Sequence, residues 1–152
     1  MSTIITTNPY TFTVEDNMSI KAVFENAAGT IKSVSKGGAV QTGYSGTFSV
    51  SLKNGSTTIG SASCSYNNNI TINSNTLNNK TFLSGYTLYL YGSSMPYNFY
   101  SLGAKLHLYV REGSTTGTIK YQLTVSSQTS TYQSFTASDL GKNYYLVIVA
   151  GT

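Results

Sequence analysis

The sequence predicts an all-β protein built as a two-sheet sandwich, and three observations carry that expectation. Apolar and polar residues alternate with period two in run after run, as in Leu106, Leu108 and Val110 against Lys105, His107, Tyr109 and Arg111. No segment of ten or more residues has helical period, and no capping box leads into an apolar run. The chain of 152 residues holds 13 Tyr and 6 Phe with abundant Val, Ile and Thr, types that suit a pleated, half-buried surface. Roughly eight to ten short strands with turn signals about every 8 to 12 residues indicate a sandwich rather than an open sheet. The expected fold is an immunoglobulin-like β-sandwich with an N-terminal β-hairpin arm. Without Trp or paired Cys the label rests on strand count and spacing, and a jelly roll is the alternative.

Taken in order, Tyr10, Phe12 and Val14 alternate with threonines, Glu15-Asp16-Asn17 supplies a turn, and Met18, Ile20, Ala22 and Phe24 alternate again. Residues 10–24 therefore read as a hairpin, and Asn26-Ala27-Ala28-Gly29 as its connector. The chain divides into an arm at residues 1–27 and a sandwich domain at residues 28–152. Residues 30–34 form the next strand, followed by a loop bearing Gly37, Gly38, Gly43 and Gly46. Phe48, Val50 and Leu52 share one face of the strand at residues 47–53. Asn54-Gly55 follows at once, the signature of a type I′ turn with positive φ at both central positions, which pairs that strand with residues 56–64. Asn67-Asn68-Asn69 makes a turn, Ile70 and Ile72 a short strand, and residues 73–80 a polar loop.

The second half is more hydrophobic. Leu88 and Leu90 oppose Tyr89 and Tyr91, and Ile119, Tyr121, Leu123 and Val125 oppose Lys120, Gln122 and Thr124, each a strand with one wet face. Residues 144–150 are apolar on both faces and read as a central strand, and Ser138-Asp139-Leu140-Gly141 before them is at most one helical turn. The expected core is Phe48, Val50, Leu52, Leu88, Leu90, Leu106, Leu108, Val110, Leu123, Val125, Val147 and Val149, with Tyr86 and Tyr121 beside it.

Composition narrows the function. Charged residues make up 9%, against about 25% in typical domains. The net charge of +4 comes from nine basic residues spread from Lys21 to Lys142, without the stripe that nucleic acid requires, so no nucleic-acid partner is expected. No stretch approaches the roughly 20 apolar residues of a membrane span, and the first residues lack the basic and apolar regions of an ordinary export signal. The five carboxylates, Glu15, Asp16, Glu25, Glu112 and Asp139, fall in turns or at strand ends, where solvated side chains are expected rather than the facing pair of a glycosidase. The one histidine, His107, has the position of an exposed strand residue, and no G-x-S-x-G surrounds any serine. One His and one Cys exclude a zinc site, Cys64 reads as a small core residue, and the glycines match no phosphate-binding loop. Neither enzymatic activity nor a cofactor is expected.

One constellation invites contact. Tyr89, Tyr91, Tyr97, Phe99, Tyr100, His107 and Tyr109 fall on wet strand faces or in the Met95-Pro96 loop. A tyrosine joins a flat apolar body to a polar tip at low entropic cost, as protein interfaces and sugar platforms both demand. Tyr10, Phe12 and Phe24 of the hairpin complete the interface candidates, since two strands alone bury too little to stand in water and must pack on the main domain or on a neighbour.

Residues 8–25, with Phe12-Thr13-Val14, the acidic turn Glu15-Asp16-Asn17 and Ile20, Ala22 and Phe24, resemble the closing segment of the internalin-B-type repeat of bacterial surface proteins. The resemblance implies a β-hairpin and a bacterial or phage source, with no catalytic residues. The remainder is similar in style to virion proteins of tailed phages, including those of gut bacteria. The expected role is a structural component of a phage virion, an auxiliary capsid, tail or fibre protein located in the particle. Its partners would be other virion structural proteins and further copies of itself. The alternative is a cell-surface or extracellular adhesion or carbohydrate-binding module, with a glycan as ligand.

Overall fold

The computed structural model describes residues 27–152. The expected N-terminal arm lies outside them up to residue 26, and with it the interface candidates Tyr10, Phe12 and Phe24 and the segment that resembles an internalin-B-type repeat. Ten strands make up most of the described chain. They are β1 (Gly29–Ala39), β2 (Ser45–Asn54), β3 (Thr57–Asn67), β4 (Ile70–Asn75), β5 (Lys80–Phe82), β6 (Thr87–Tyr91), β7 (Lys105–Glu112), β8 (Thr118–Val125), β9 (Ser130–Ser134) and β10 (Asn143–Gly151). One short helix, α1 (Tyr97–Ser101), and a 3₁₀ turn at Ala137–Asp139 interrupt them.

The strands form two five-stranded sheets, sheet I in the order β5-β1-β10-β7-β8 and sheet II in the order β4-β3-β2-β6-β9. The expected all-β sandwich is therefore the architecture. All these pairings are antiparallel except β1 with β10, which run parallel and join the first described strand to the last. The inward residues of both sheets interdigitate in a single core, with Val50, Leu52, Leu88, Leu90, Leu106, Leu108 and Val110 wholly buried. Burial of each such side chain contributes about 1.5–3 kcal/mol.

The Asn-Gly hairpin forms, and its turn sits one residue further on. Asn54 pairs with Thr57, so Gly55 and Ser56 are the central residues. Gly55 carries φ +60° and Ser56 does not share it, which is the requirement of a type II′ turn rather than type I′. The glycines of the second expected loop also differ: Gly37 and Gly38 belong to β1 and Gly46 to β2, and Gly43 alone lies in the connection. β1 keeps its length by absorbing register shifts at Ile31/Ser33 and Lys36/Ala39.

One further shift corrects the expected core and another an expected strand face. In β10 the inward set is Tyr144, Leu146, Ile148 and Ala150, while Val147 and Val149 are half-buried on the outer face. Both sets are apolar, so alternation could not choose between them. In β8 a bulge between Val110 and Arg111 of the partner strand turns Ile119 outward beside Arg111, although Tyr121 and Leu123 keep the inward phase. Strands β5 and β9 lie where no strand was expected, because each is short and polar. They bring in Phe82 and Phe135, whose rings stack at 3.7 Å between centroids.

At one end of the sandwich α1 closes the core. Tyr100 donates its hydroxyl to the Gly92 carbonyl at 2.7 Å, and a Cβ on Gly92 would stand 2.6 Å from Val125 Cγ2. Only glycine allows that approach. Phe99 packs edge-on against both Tyr66 and Tyr100, and the Tyr66 hydroxyl donates to the Val40 carbonyl.

Candidate functional site

The expected tyrosine cluster divides between surfaces that face opposite ways. Tyr89 and Tyr91 of β6 stand on the outer face of sheet II, and His107 and Tyr109 of β7 on the outer face of sheet I. Phe99 is 0% exposed and Tyr100 7%, so both belong to the core under α1 rather than to an interface. Burial pushes the Tyr100 hydroxyl up to about 12. Tyr97 on the same helix is 68% exposed and is displayed at that end of the sandwich. Tyr97 opens the five-residue helix and stays in solvent, while the adjacent Phe99 and Tyr100 turn into the core, a split that a loop assignment could not anticipate.

The outer face of sheet I is apolar in its centre. Register places Val147 opposite Tyr109, Val149 opposite His107 and Tyr145 opposite Arg111, with Ser33 and Ser35 of β1 on the other flank. The His107 and Tyr109 rings lie 23° apart with centroids at 5.8 Å, and the Arg111 guanidinium sits 5.6 Å from the Tyr109 centroid. His107 is 7% exposed, not the solvated residue its position suggested, because Val149, Tyr109 and Thr124 surround it. Its Nδ1 meets the Thr124 hydroxyl at 2.9 Å. Burial, and then the Lys105 charge, lower its pKa from the ordinary 6.5, so the ring is neutral at pH 7. The strands of sheet I carry six basic residues, Lys32, Lys36, Lys80, Lys105, Arg111 and Lys120, and one acid, Glu112. Basic residues dispersed along the chain thus gather on one sheet.

The outer face of sheet II has a different chemistry. Tyr89 and Tyr91 are near-parallel, 7° apart with centroids at 5.7 Å, and Tyr132 of β9 extends the row at 5.6 Å from Tyr89. Tyr132 is 66% exposed. It escaped notice in the sequence because β9 did; its alternation with polar neighbours was the one available signal. Next to this row, register sets Ser49 beside Tyr91 and Ser51 beside Tyr89, then Ser63 and Ser61 on β3. Lys53 holds its ammonium 5.4 Å from the Tyr89 centroid and 5.9 Å from that of Tyr91. An open depression of about 310 Å³ lies between Tyr91, Ser49, Ser63 and Asn73. The Asn73 amide donates to Ser65 Oγ at 3.1 Å.

Asp139 is a second finding that the sequence concealed. Expected as a solvated turn residue, it is wholly buried, and it accepts from the Tyr121 hydroxyl at 2.6 Å, the Tyr144 hydroxyl at 3.1 Å and the Thr136 N–H at 2.8 Å. Lys120 Nζ stands 3.8 Å away. Burial alone raises the carboxyl pKa, but the Thr136 N–H, the two hydroxyls and the lysine outweigh it and hold the pKa below the ordinary 3.8. The same carboxylate, after burial, helps push the Tyr144 hydroxyl up. With every oxygen engaged, the group is a structural pin joining β8, β10 and the 3₁₀ turn. Cys64 is buried as expected, its thiol pushed up to about 11, which leaves it protonated and unreactive. Among the described residues no three His, Cys, Asp or Glu side chains are grouped to hold a metal ion, and no helix is long and apolar enough to cross a membrane.

No protein-family model matches the chain, and neither a curated protein nor a solved structure matches it.

Proposed function

We propose that the protein is a structural component of a phage virion, an auxiliary capsid, tail or fibre protein that acts through protein–protein contacts rather than catalysis. The observation that carries this reading is the outer face of sheet I. Val147, Val149 and Tyr145 run along its central strand with Tyr109 and His107 beside them, and Lys105 and Arg111 lie at its margin. An apolar and aromatic centre with a charged rim is the anatomy of a protein interface, and Tyr and Arg are the types enriched there. Lys105 and Arg111 at the margin select a partner surface with an apolar patch and acidic edges. Other virion proteins, or further copies of this chain presenting a different surface, are the partners.

Mass spectrometry of particles purified from the source tests the assignment. The protein is expected in many copies per particle, and its recovery only as a secreted protein outside particles would refute the proposal. The rival reading, an adhesion or carbohydrate-binding module, draws on the tyrosine and serine face of sheet II, which has its own chemistry.

A further inference from the structure

We infer that the outer face of sheet II is a binding platform for neutral saccharides, a function additional to the protein contacts of sheet I. A pyranose ring presents an apolar C–H face and a rim of hydroxyls, and both halves find their complement here. Tyr89, Tyr91 and Tyr132 form a continuous row from β6 to the edge strand β9, offering flat apolar bodies with polar tips. Tyr91 borders the depression, whose lining includes Ser49, Ser63 and Asn73 as well as the apolar Phe48 and Cys64, and Tyr91, Ser49, Ser63 and Asn73 come from four adjacent strands. Its volume, about 310 Å³, lies at the small end of ligand sites, which span roughly 300–1,000 Å³. Hydroxyl groups donate and accept in turn, and the Asn carboxamide does both, which is what the hydroxyls of a sugar require.

Charge selects the ligand class. Lys53 is the one charged residue in the five strands of sheet II. A polyanion, whether nucleic acid or an acidic polysaccharide, is held by several cations that neutralise it, and this face has one, already placed over two tyrosine rings. A dry protein partner is disfavoured as well, because it would bury the hydroxyls of Ser49, Ser61, Ser63 and Ser65 at a cost unless each met a matching group. A hydroxyl-rich, uncharged ligand meets both conditions. The row from Tyr91 to Tyr132 accommodates more than one sugar ring, so an oligosaccharide binds better than a single sugar.

The test applies the full chain to an array of neutral and anionic oligosaccharides, followed by calorimetric titration with a retained neutral oligosaccharide. Retention of neutral oligosaccharides is expected, with affinity falling tenfold or more in Tyr91→Ala and in Tyr132→Ala and unchanged in Tyr109→Ala on the opposite face. Ser63→Gln fills the depression from an exposed position without touching the core, and it is expected to reproduce the Tyr91→Ala loss even if the tyrosine variant folds poorly. Retention of anionic glycans alone, no retention at all, or binding indifferent to both Tyr91→Ala and Ser63→Gln would overturn the inference. So would cross-linking from this face to a neighbouring protein in assembled particles. Failure of the virion assignment is distinguishable, since it appears as absence from particles while saccharide binding persists.

Discussion

The two outer faces of this sandwich are made from strands of similar length and the same alternation, yet they differ in almost every property that governs binding. Sheet I shows valine, tyrosine and a shielded histidine with six cations among its strands; sheet II shows serine, threonine and asparagine beside a tyrosine row with one lysine. The origin of the contrast is topological. Sheet I has β10 as its central strand, a segment apolar on both sides, whereas the central strand of sheet II, β2, places serines opposite its buried Phe48, Val50 and Leu52. A strand that is hydrophobic on both faces gives its sheet an outer surface fit for a dry contact. A strand that is hydroxylic on one face gives a wet one.

The contrast can be broken at its foundation, and there the effect is largest. Leu108→Ala empties a core position behind the apolar face and is expected to cost about 2–5 kcal/mol in chemical unfolding. Because a single core supports both sheets, partner contact and saccharide binding should be lost together as the protein unfolds; loss of one with the other intact would mean that the sheets unfold independently.

Asp139→Asn comes next, at about 1.5–3 kcal/mol, since a buried anion with two hydroxyl donors and a backbone donor is replaced by a neutral amide. The pH dependence has a definite sign. The folded-state pKa lies below the ordinary 3.8, so the contribution of Asp139 is complete above about pH 4 and is lost as pH falls through the folded value. Thermal melts of the wild type below pH 4 should decline more steeply than those of Asp139→Asn, and parallel profiles would remove the carboxylate from this role.

Val147→Asp separates the faces. On a half-buried outer position it is expected to cost about 1 kcal/mol of stability, within the range of strand substitutions, while sharply reducing incorporation into particles and leaving saccharide binding unchanged. Unaltered incorporation would move the protein contact to another surface. The smallest effect sharpens the same comparison from the other side: Tyr132→Ala, at an exposed edge position, should change stability by no more than about 0.5 kcal/mol and incorporation not at all.

Much of this architecture could be read from residue order because a strand states its own burial. Leu106, Leu108 and Val110 announce an inward face regardless of what they meet, and Gly55 announces a tight turn wherever its exact centre falls. Reading failed where local pattern was degenerate. Val147 and Val149 are as apolar as Leu146 and Ile148, and only pairing with β1 and β7 decides which set faces the core. Ser130–Ser134 has little apolar content of its own and becomes a strand because β6 presents a hydrogen-bonding edge to it.

The candidate sites divide in the same way. Sequence alone determined that the chain is rich in strand-borne tyrosine, poor in charge and built as a β-sandwich, since these follow from residue type and period two. Only the tertiary structure decided that Tyr89 and Tyr109 look in opposite directions, that Phe99 and Tyr100 are core, and that Asp139 is buried beneath Tyr121 and Tyr144. Those outcomes depend on which strands share a sheet and on contacts between residues far apart in the chain, and neither leaves a trace in local alternation.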